Sequence, residues 1–266
     1  MSKLSFHASP TQLLFKLVKI LQGLVLPIAL LAAWEWASRQ GTVAAYVFVS
    51  LSDLWVSLQQ LVISGELWIH LLASTKRALT GLSIGITLGI TVGTLMAQSR
   101  IADKLIGPLY NSIRQVPLLG LVPLLGLWVG NGESAKLLVV AIASFYPTVL
   151  NTSEGIRHVE VRYRELGQVL TLTRTQTFFR VLLPAALPSI VTGISHALAF
   201  AWLACMGGEL LFSAGPGIGS LLLNAETTGK MDIVLLSVIV IALLAQSMNY
   251  LFNRLAGLLV RGQSSH

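Results

Sequence analysis

The sequence predicts an all-α membrane protein with about six membrane-spanning helices. Of its 266 residues, 54% are hydrophobic and only 11% are charged, whereas soluble domains carry roughly 25% charged residues. The mean hydropathy of +0.76 agrees with that composition. The apolar residues also fall into separate stretches, each close to the roughly 20 residues that a helix needs to cross a bilayer.

Six stretches are long and apolar enough to be predicted as spans. They cover about 20–38, 78–98, 105–130, 137–154, 187–212 and 233–252. The second contains Gly81, Gly85, Gly89 and Gly93. Glycines every four residues form a bare stripe on one helix face, so this stripe predicts close packing against a neighbouring helix. A stripe that faces a ligand is the alternative.

Two regions depart from a simple spanning helix. The third span contains Arg114, Pro117 and Pro123, and it is predicted to be kinked or broken, because proline removes a backbone donor and clashes with the preceding turn. Residues 52–72 read as one amphipathic helix in the loop between the first two spans. It carries tryptophans suited to a membrane interface.

Basic residues favour one orientation of the six spans. Six spans place both termini on one side, and cytoplasmic termini put twelve basic residues inside and five outside, as the positive-inside rule expects. The inner set is Lys3, Lys16, Lys19, Arg100, Lys104, Arg157, Arg162, Arg164, Arg174, Arg180, Arg254 and Arg261, and the outer set is Arg39, Lys76, Arg77, Lys136 and Lys230. Residues 1–19 and 260–266 are then cytoplasmic tails, and 20–259 form the membrane domain.

A polar segment at about 160–184 interrupts the apolar chain between the fourth and fifth spans. Residues 162–170 are predicted to form a short helix. Thr173 and Gln176 have the spacing of a capping box, which satisfies free backbone amides at a helix start, so a second helix is predicted over about 174–183. Leu183-Pro184 then leads into the membrane. An ordinary basic loop lying on lipid headgroups is the alternative.

Enzyme motifs do not stand out in this sequence. The pair Gly229-Lys230 is followed by Met231, so it lacks the Ser or Thr of a phosphate-binding loop. Cys205 is the lone cysteine and cannot form an internal disulfide. We therefore expect no catalytic, cofactor or metal site in this chain, and any ATP hydrolysis is expected on a separate chain.

The polar segment resembles the cytoplasmic "EAA" loop of bacterial ABC-importer permeases. Glu165 aligns with the glutamate of that motif, and Leu183-Pro184 aligns with its Leu-Pro. Two positions depart from the motif, since Gly167 stands where alanine is usual and Thr171 where glycine is usual. If the second position requires a positive φ, threonine is strained there.

Four further stretches are similar to the nitrate, sulfonate and taurine type of these permeases, with the aliphatic sulfonate branch the most similar. They read GELWIHLLASTKRALTGLSIG (65–85), RQVPLLGLVPLLGLWVGNGESAK (114–136), FYPTVLNTSEGIR (145–157) and GPGIGSLL (215–222). The resemblance implies the type I ABC importer permease fold and a pore-forming subunit that moves a small anionic solute inward. An ion-gradient-driven secondary transporter is the alternative function.

The resemblance also implies partners and a location. It implies a bacterial inner-membrane protein that forms a homodimer with a second permease copy, contacts two ATP-binding cassette subunits carrying ATP and Mg, and receives solute from a periplasmic or lipid-anchored binding protein. Membrane lipid is a further partner, and nucleic acid is not one. The residues implied in coupling to the ATPase are Arg164, Glu165, Gly167, Thr171, Leu183 and Pro184.

Ionisable and polar side chains inside spans are costly and usually face a cavity or a partner. The candidates for the translocation pathway or its gating are Arg114, Gln115, Asn151, His196 and Glu209. Arg114 either attracts an anion or is a structural residue near the interface, and its pairing with Glu209 is left open. His196 is either a helix–helix hydrogen-bonding residue or a ligand. A pore without a specific solute site is a further alternative.

Overall fold

A computed structural model describes residues 25–40, 49–212 and 215–261, and every regular element in these ranges is helical. The all-α class predicted from the sequence is therefore confirmed. In chain order the helices are α1 (Val25–Ser38), α2 (Leu51–Ile63), α3 (Glu66–Gln98), α4 (Arg100–Ile113), α5 (Leu118–Val129), α6 (Glu133–Arg157), α7 (Val161–Val169), α8 (Arg174–Leu211), α9 (Ile218–Thr227) and α10 (Met231–Arg261).

Four of the described helices are long and apolar enough to cross a membrane, namely α3, α6, α8 and α10, and the bent pair of α4 and α5 would make a fifth span. The first predicted span, 20–38, begins outside the described residues. Its described part is α1, which is apolar but shorter than a spanning helix. The structure thus supports four or five spans, and six stays a prediction.

The centre of the fold is the packing of α3 against α6, where the glycine stripe lies. A Cβ on Gly81, Gly85, Gly89 or Gly93 would come within 2.5–2.8 Å of side-chain or backbone atoms of α6. The α6 residues facing the stripe are Val140, Ala141, Ser144, Phe145, Thr148, Val149, Thr152 and Ser153. The stripe therefore packs against a helix, as predicted. α8 packs against the same two helices and completes the buried core.

The third predicted span is broken, as its prolines suggested. α4 and α5 meet at 101° across the four residues 114–117. Pro117 stands at the N-cap of α5 with extended backbone, because the residue before a proline avoids the helical region and proline itself cannot donate to the preceding turn. Pro123 does not break the chain and lies inside α5.

The prediction of one continuous amphipathic helix over 52–72 is wrong, because two helices share this stretch. α2 ends at Ile63, and the residue before α3, Gly65, has φ +80°. That left-handed conformation is open to glycine at little cost and turns the chain. α3 consequently begins at Glu66, well before the start at residue 78 that the apolar pattern predicts.

Candidate functional site

The segment 160–184 forms the predicted helix–turn–helix, and we call it the coupling segment after the role that the resemblance implies. Its first helix is α7. The capping box is present, since the backbone nitrogen of Gln176 lies 3.3 Å from Thr173 Oγ1 and the backbone nitrogen of Thr173 lies 2.9 Å from Gln176 Oε1. The second helix does not end at residue 183 as predicted. It continues through Leu183 as part of α8, which runs from Arg174 to Leu211.

The two departures from the EAA motif have structural counterparts. Thr171 has φ +49°, so the position does adopt the left-handed conformation that favours glycine, and threonine is strained there. Gly167 faces α8, where a Cβ would lie 2.8 Å from Cγ2 and 3.0 Å from Oγ1 of Thr177. The backbone nitrogen of Leu172 donates to the Gly167 carbonyl at 2.9 Å, which closes the turn.

The other coupling candidates lie on the same segment. Glu165 is exposed on α7, where a partner can reach it. Arg164 also belongs to α7, but its side chain lies outside the described part of the structure. Leu183 is half-buried and packs on the cluster around Ile156.

Pro184 explains why α8 widens before it enters the apolar core. Phe178–Leu182 forms a π turn, and the backbone nitrogen of Leu183 donates to the Phe178 carbonyl, five residues back. A proline ring clashes with the carbonyl four residues before it, and a wider turn relieves that clash without ending the helix. The proline therefore modifies the helix and does not separate the coupling segment from the span.

Four of the five predicted pathway residues line one cavity of about 430 Å³ beside the α4–α5 break. These residues are Arg114, Gln115, Asn151 and His196. The remaining lining comes from Tyr110, Val116, Pro117, Leu118, Ala143, Tyr146, Pro147, Leu150 and Phe200. A cation and three polar side chains from the break, α6 and α8 therefore meet in a mostly apolar chamber.

The polar groups of this cavity are only partly used by the protein itself. Tyr110 donates its hydroxyl to the Tyr146 carbonyl at 2.7 Å, and the Arg114 guanidinium lies 5.6 Å from the centre of the Tyr110 ring. His196 makes no side-chain hydrogen bond within the described ranges, which does not support its reading as a helix–helix hydrogen-bonding residue. The chamber can therefore offer Arg114 and His196 to a ligand.

Glu209 lies elsewhere, where the last turns of α8 meet the first turn of α6 and Arg77 of α3, at the end of the bundle opposite the coupling segment. It pairs with Arg77 and not with Arg114, so the open possibility of an Arg114–Glu209 pair is excluded. Arg77 also donates from Nε and Nη2 to the two carboxylate oxygens of Glu133, at 2.7 Å each. We name the group of Arg77, Glu133, Glu209 and the Pro216 carbonyl the ionic latch; Arg77 Nη2 lies 3.1 Å from that carbonyl oxygen.

The prediction that Arg77 and Lys136 lie in outer loops is wrong, because both are buried within helices. Arg77 is 2% exposed and Lys136 is 0% exposed. One sequence signal bears on this burial, because Glu209 within a span requires a cationic partner. In the structure, Gly217 and Gly219 leave room for the Glu209 carboxylate, because a Cβ on either would lie within 3 Å of a Glu209 side-chain atom.

Comparison with known proteins identifies the family. Residues 85–265 match the model of the binding-protein-dependent transport system inner membrane component. SsuC of Escherichia coli K12, named as an aliphatic sulfonates transport permease protein, is 38% identical over 83% of this chain and 84% of its own. SsuC of Bacillus subtilis 168, which carries the same name, is 32% identical over 92% of this chain and 89% of its own.

A solved structure supports the fold. A chain from inward-facing conformations of the MetNI methionine ABC transporter superposes with a TM-score of 0.62 at 15% identity, covering 79% of this chain and 99% of that chain. The chain belongs to the family of inner membrane components of binding-protein-dependent transport systems. It is a permease subunit of an ABC transporter, as predicted, and the comparisons give no support to the secondary transporter.

Proposed function

We propose that this chain forms the pathway through which an ABC importer moves a small organic or inorganic oxyanion, with aliphatic sulfonates as the first class to test. The observation that carries this proposal is the cavity that unites Arg114, Gln115, Asn151 and His196. The names of the two SsuC relatives support the sulfonate class. A guanidinium suits such anions because its planar N–H groups match their oxygens.

We propose the assembly that the family suggests. Two copies of this chain form the pore, two ATP-binding cassette subunits bind ATP and Mg, and a separate binding protein delivers the solute. Both termini lie in the cytoplasm, six spans include the stretch 20–38, and the coupling segment faces the ATPase. The exposed Glu165 on α7 and the turn at Thr171 support this role for the segment.

The pathway is tested by replacing Arg114 in the complete transporter reconstituted in vesicles. Arg114→Gln is expected to raise the concentration for half-maximal uptake roughly 10- to 100-fold, because a hydrogen bond to a charged group contributes about 1.5–3 kcal/mol. Arg114→Lys should keep part of the affinity. Arg100→Gln is the matched control, since Arg100 is an exposed arginine at the start of α4, the helix that ends just before Arg114.

Uptake unchanged in Arg114→Gln would contradict an anion role for Arg114 and favour a pore without a specific site. Substrate choice is tested separately on the binding protein encoded with this transporter. Its affinities for alkanesulfonates, taurine, nitrate and bicarbonate are measured by calorimetry, and preference for a solute without an anionic oxygen would contradict the proposed class.

Coupling is tested by reversing the charge of Glu165. Glu165→Arg is expected to leave the permease in the membrane but to separate ATP hydrolysis from uptake, because the exposed carboxylate is placed to meet a partner's cationic group. Glu154→Arg is the control, as Glu154 lies at the same end of the bundle on α6, before the coupling segment. Normal coupled uptake in Glu165→Arg would exclude the role of that residue.

A further inference from the structure

We propose that Arg77 is a positioning residue for transport, which holds the segment 216–219 and the start of α9 closed over the end of the bundle opposite the coupling segment. This inference rests on the proposed function, which places that end at the outer face of the membrane. The ionic latch around Arg77 lies outside the cavity, and no residue of it lines that chamber.

The latch joins four parts of the chain at one side chain. Arg77 belongs to α3, Glu133 to the first turn of α6 and Glu209 to the last turns of α8. The fourth part is the Pro216 carbonyl, which accepts from Arg77 Nη2. Because guanidinium donors have a fixed fork geometry, one arginine sets the relative position of all four groups.

The neighbouring hydrogen bonds extend this hold to the start of α9. Ser74 donates to Glu209 Oε1 at 2.7 Å and accepts from the Ile218 backbone nitrogen at 2.9 Å. The Gly219 backbone nitrogen donates to Glu209 Oε2 at 2.8 Å. His70 Nδ1 lies 3.0 Å from the backbone nitrogen and 2.8 Å from the carbonyl oxygen of Gly217.

The order of sites along α8 shows what this arrangement closes. The coupling segment includes the first residues of α8, His196 lies at the cavity, and Glu209 follows 13 residues later, about 20 Å further along the helix at 1.5 Å per residue. On α6 the order is reversed, with Glu133 at the latch and Asn151 at the cavity. The cavity therefore lies between the coupling segment and the latch.

The two carboxylates of the latch differ in exposure, and this decides where it can be weakened. Glu209 is 0% exposed, whereas the Glu133 side chain is 54% exposed. Removing the charge of Glu209 would leave Arg77 short of a partner in the buried core, which endangers folding. Neutralising Glu133 removes one arm of the latch at a site that water already reaches, so the fold is expected to survive.

Cys205 is a built-in reporter for this end of the bundle. It is the single cysteine of the chain and is 0% exposed, with Sγ 3.5 Å from Glu209 Oε1 and 3.6 Å from the Ser74 carbonyl oxygen. A membrane-impermeant maleimide can react with this thiol only when the contacts with Ser74 and Glu209 that cover it open. The labelling rate therefore measures opening at the latch without an engineered cysteine.

The experiment uses the complete transporter in right-side-out vesicles, with cysteine-free partner subunits and maleimide added outside. Glu133→Gln is expected to raise the Cys205 labelling rate about tenfold, as loss of a charge-assisted hydrogen bond favours local opening. It should also let solute leak without ATP. Glu133→Asp keeps the charge and should restore most of the protection, and Glu226→Gln, an exposed carboxylate on α9, should label like the wild type.

Three results would overturn the inference. The first is a Glu133→Gln rate equal to that of the wild type, and the second is an equal rise in Glu226→Gln. The third is a rise in the Cys205 labelling rate that vanishes when each variant is measured at the same number of degrees below its own melting temperature. Such a result would show that the whole protein is less stable and not that the latch opens. Labelling that rises only when maleimide is inside would instead show that the proposed orientation is wrong while the latch exists.

Discussion

Replacing Gly85 by alanine tests the contact between α3 and α6 on which the bundle depends. The new Cβ would lie 2.5 Å from the Ala141 carbonyl oxygen and 2.5 Å from Ser144 Cβ. Non-bonded heavy atoms are most stable at about 3.5–4.0 Å, so the helices must separate by about 1 Å. Neither obstacle can rotate away, because one is a backbone oxygen and the other is a Cβ held by the backbone, and overpacking of this kind typically costs about 1–3 kcal/mol.

The assay is thermal unfolding of the purified protein in detergent, followed by circular dichroism. The melting temperature of Gly85→Ala should fall, by about 2–4 °C for each kcal/mol lost in a chain of this size. Gly120→Ala is the control, because Gly120 lies inside α5 and a Cβ there meets nothing within 4 Å. That variant should gain about 0.5–1 kcal/mol from alanine's better helix propensity. Wild-type melting of Gly85→Ala, or equal losses in both variants, would refute the packing argument.

Three other variants probe local features. Thr171→Gly should raise the melting temperature slightly. Removing a left-handed threonine relieves about 1–2 kcal/mol of strain, which exceeds the entropy cost of glycine of about 0.5–1 kcal/mol. A lower melting temperature would contradict strain at this turn. Gly167→Ala should reduce ATP-dependent uptake because its Cβ meets Thr177. Adding Thr177→Ala should restore uptake, and uptake by the double variant as low as that of the single variant would exclude the clash. Ser57→Ala removes the hydroxyl that donates to Asp232 between α2 and α10, so it should cost about 1–3 kcal/mol in thermal unfolding, and no change would show that the contact is not stabilising.

The features predicted correctly from the sequence are those fixed by residues close together in the chain. The capping box needs only Thr173 and Gln176, and the break before α5 needs only Pro117. The glycine stripe on α3 is also local, because its spacing of four residues is set by the helix itself. Each of these could be inferred without knowing what lies opposite.

The latch could not be predicted in the same way, because its partners are distant in the chain. Arg77 follows Lys76 and looks like the basic end of a loop, so the apolar pattern starts the helix at residue 78. In the structure Arg77 is buried because Glu133 and Glu209, which lie 56 and 132 residues away, compensate its charge. Burial of a charge is decided by such tertiary pairing and not by local hydropathy.

The continuity of α8 joins the coupling segment and Glu209 within one helix. Its 38 residues make a rod of about 57 Å at 1.5 Å per residue, and a tilt of about 5° around its middle would displace each end by about 2.5 Å. The two ends would move in opposite directions. If α8 tilts as a rigid body about its middle, a push on the coupling segment toward the bundle axis would therefore carry Glu209 away from that axis. A helix that stopped at Pro184 would leave the far end at rest.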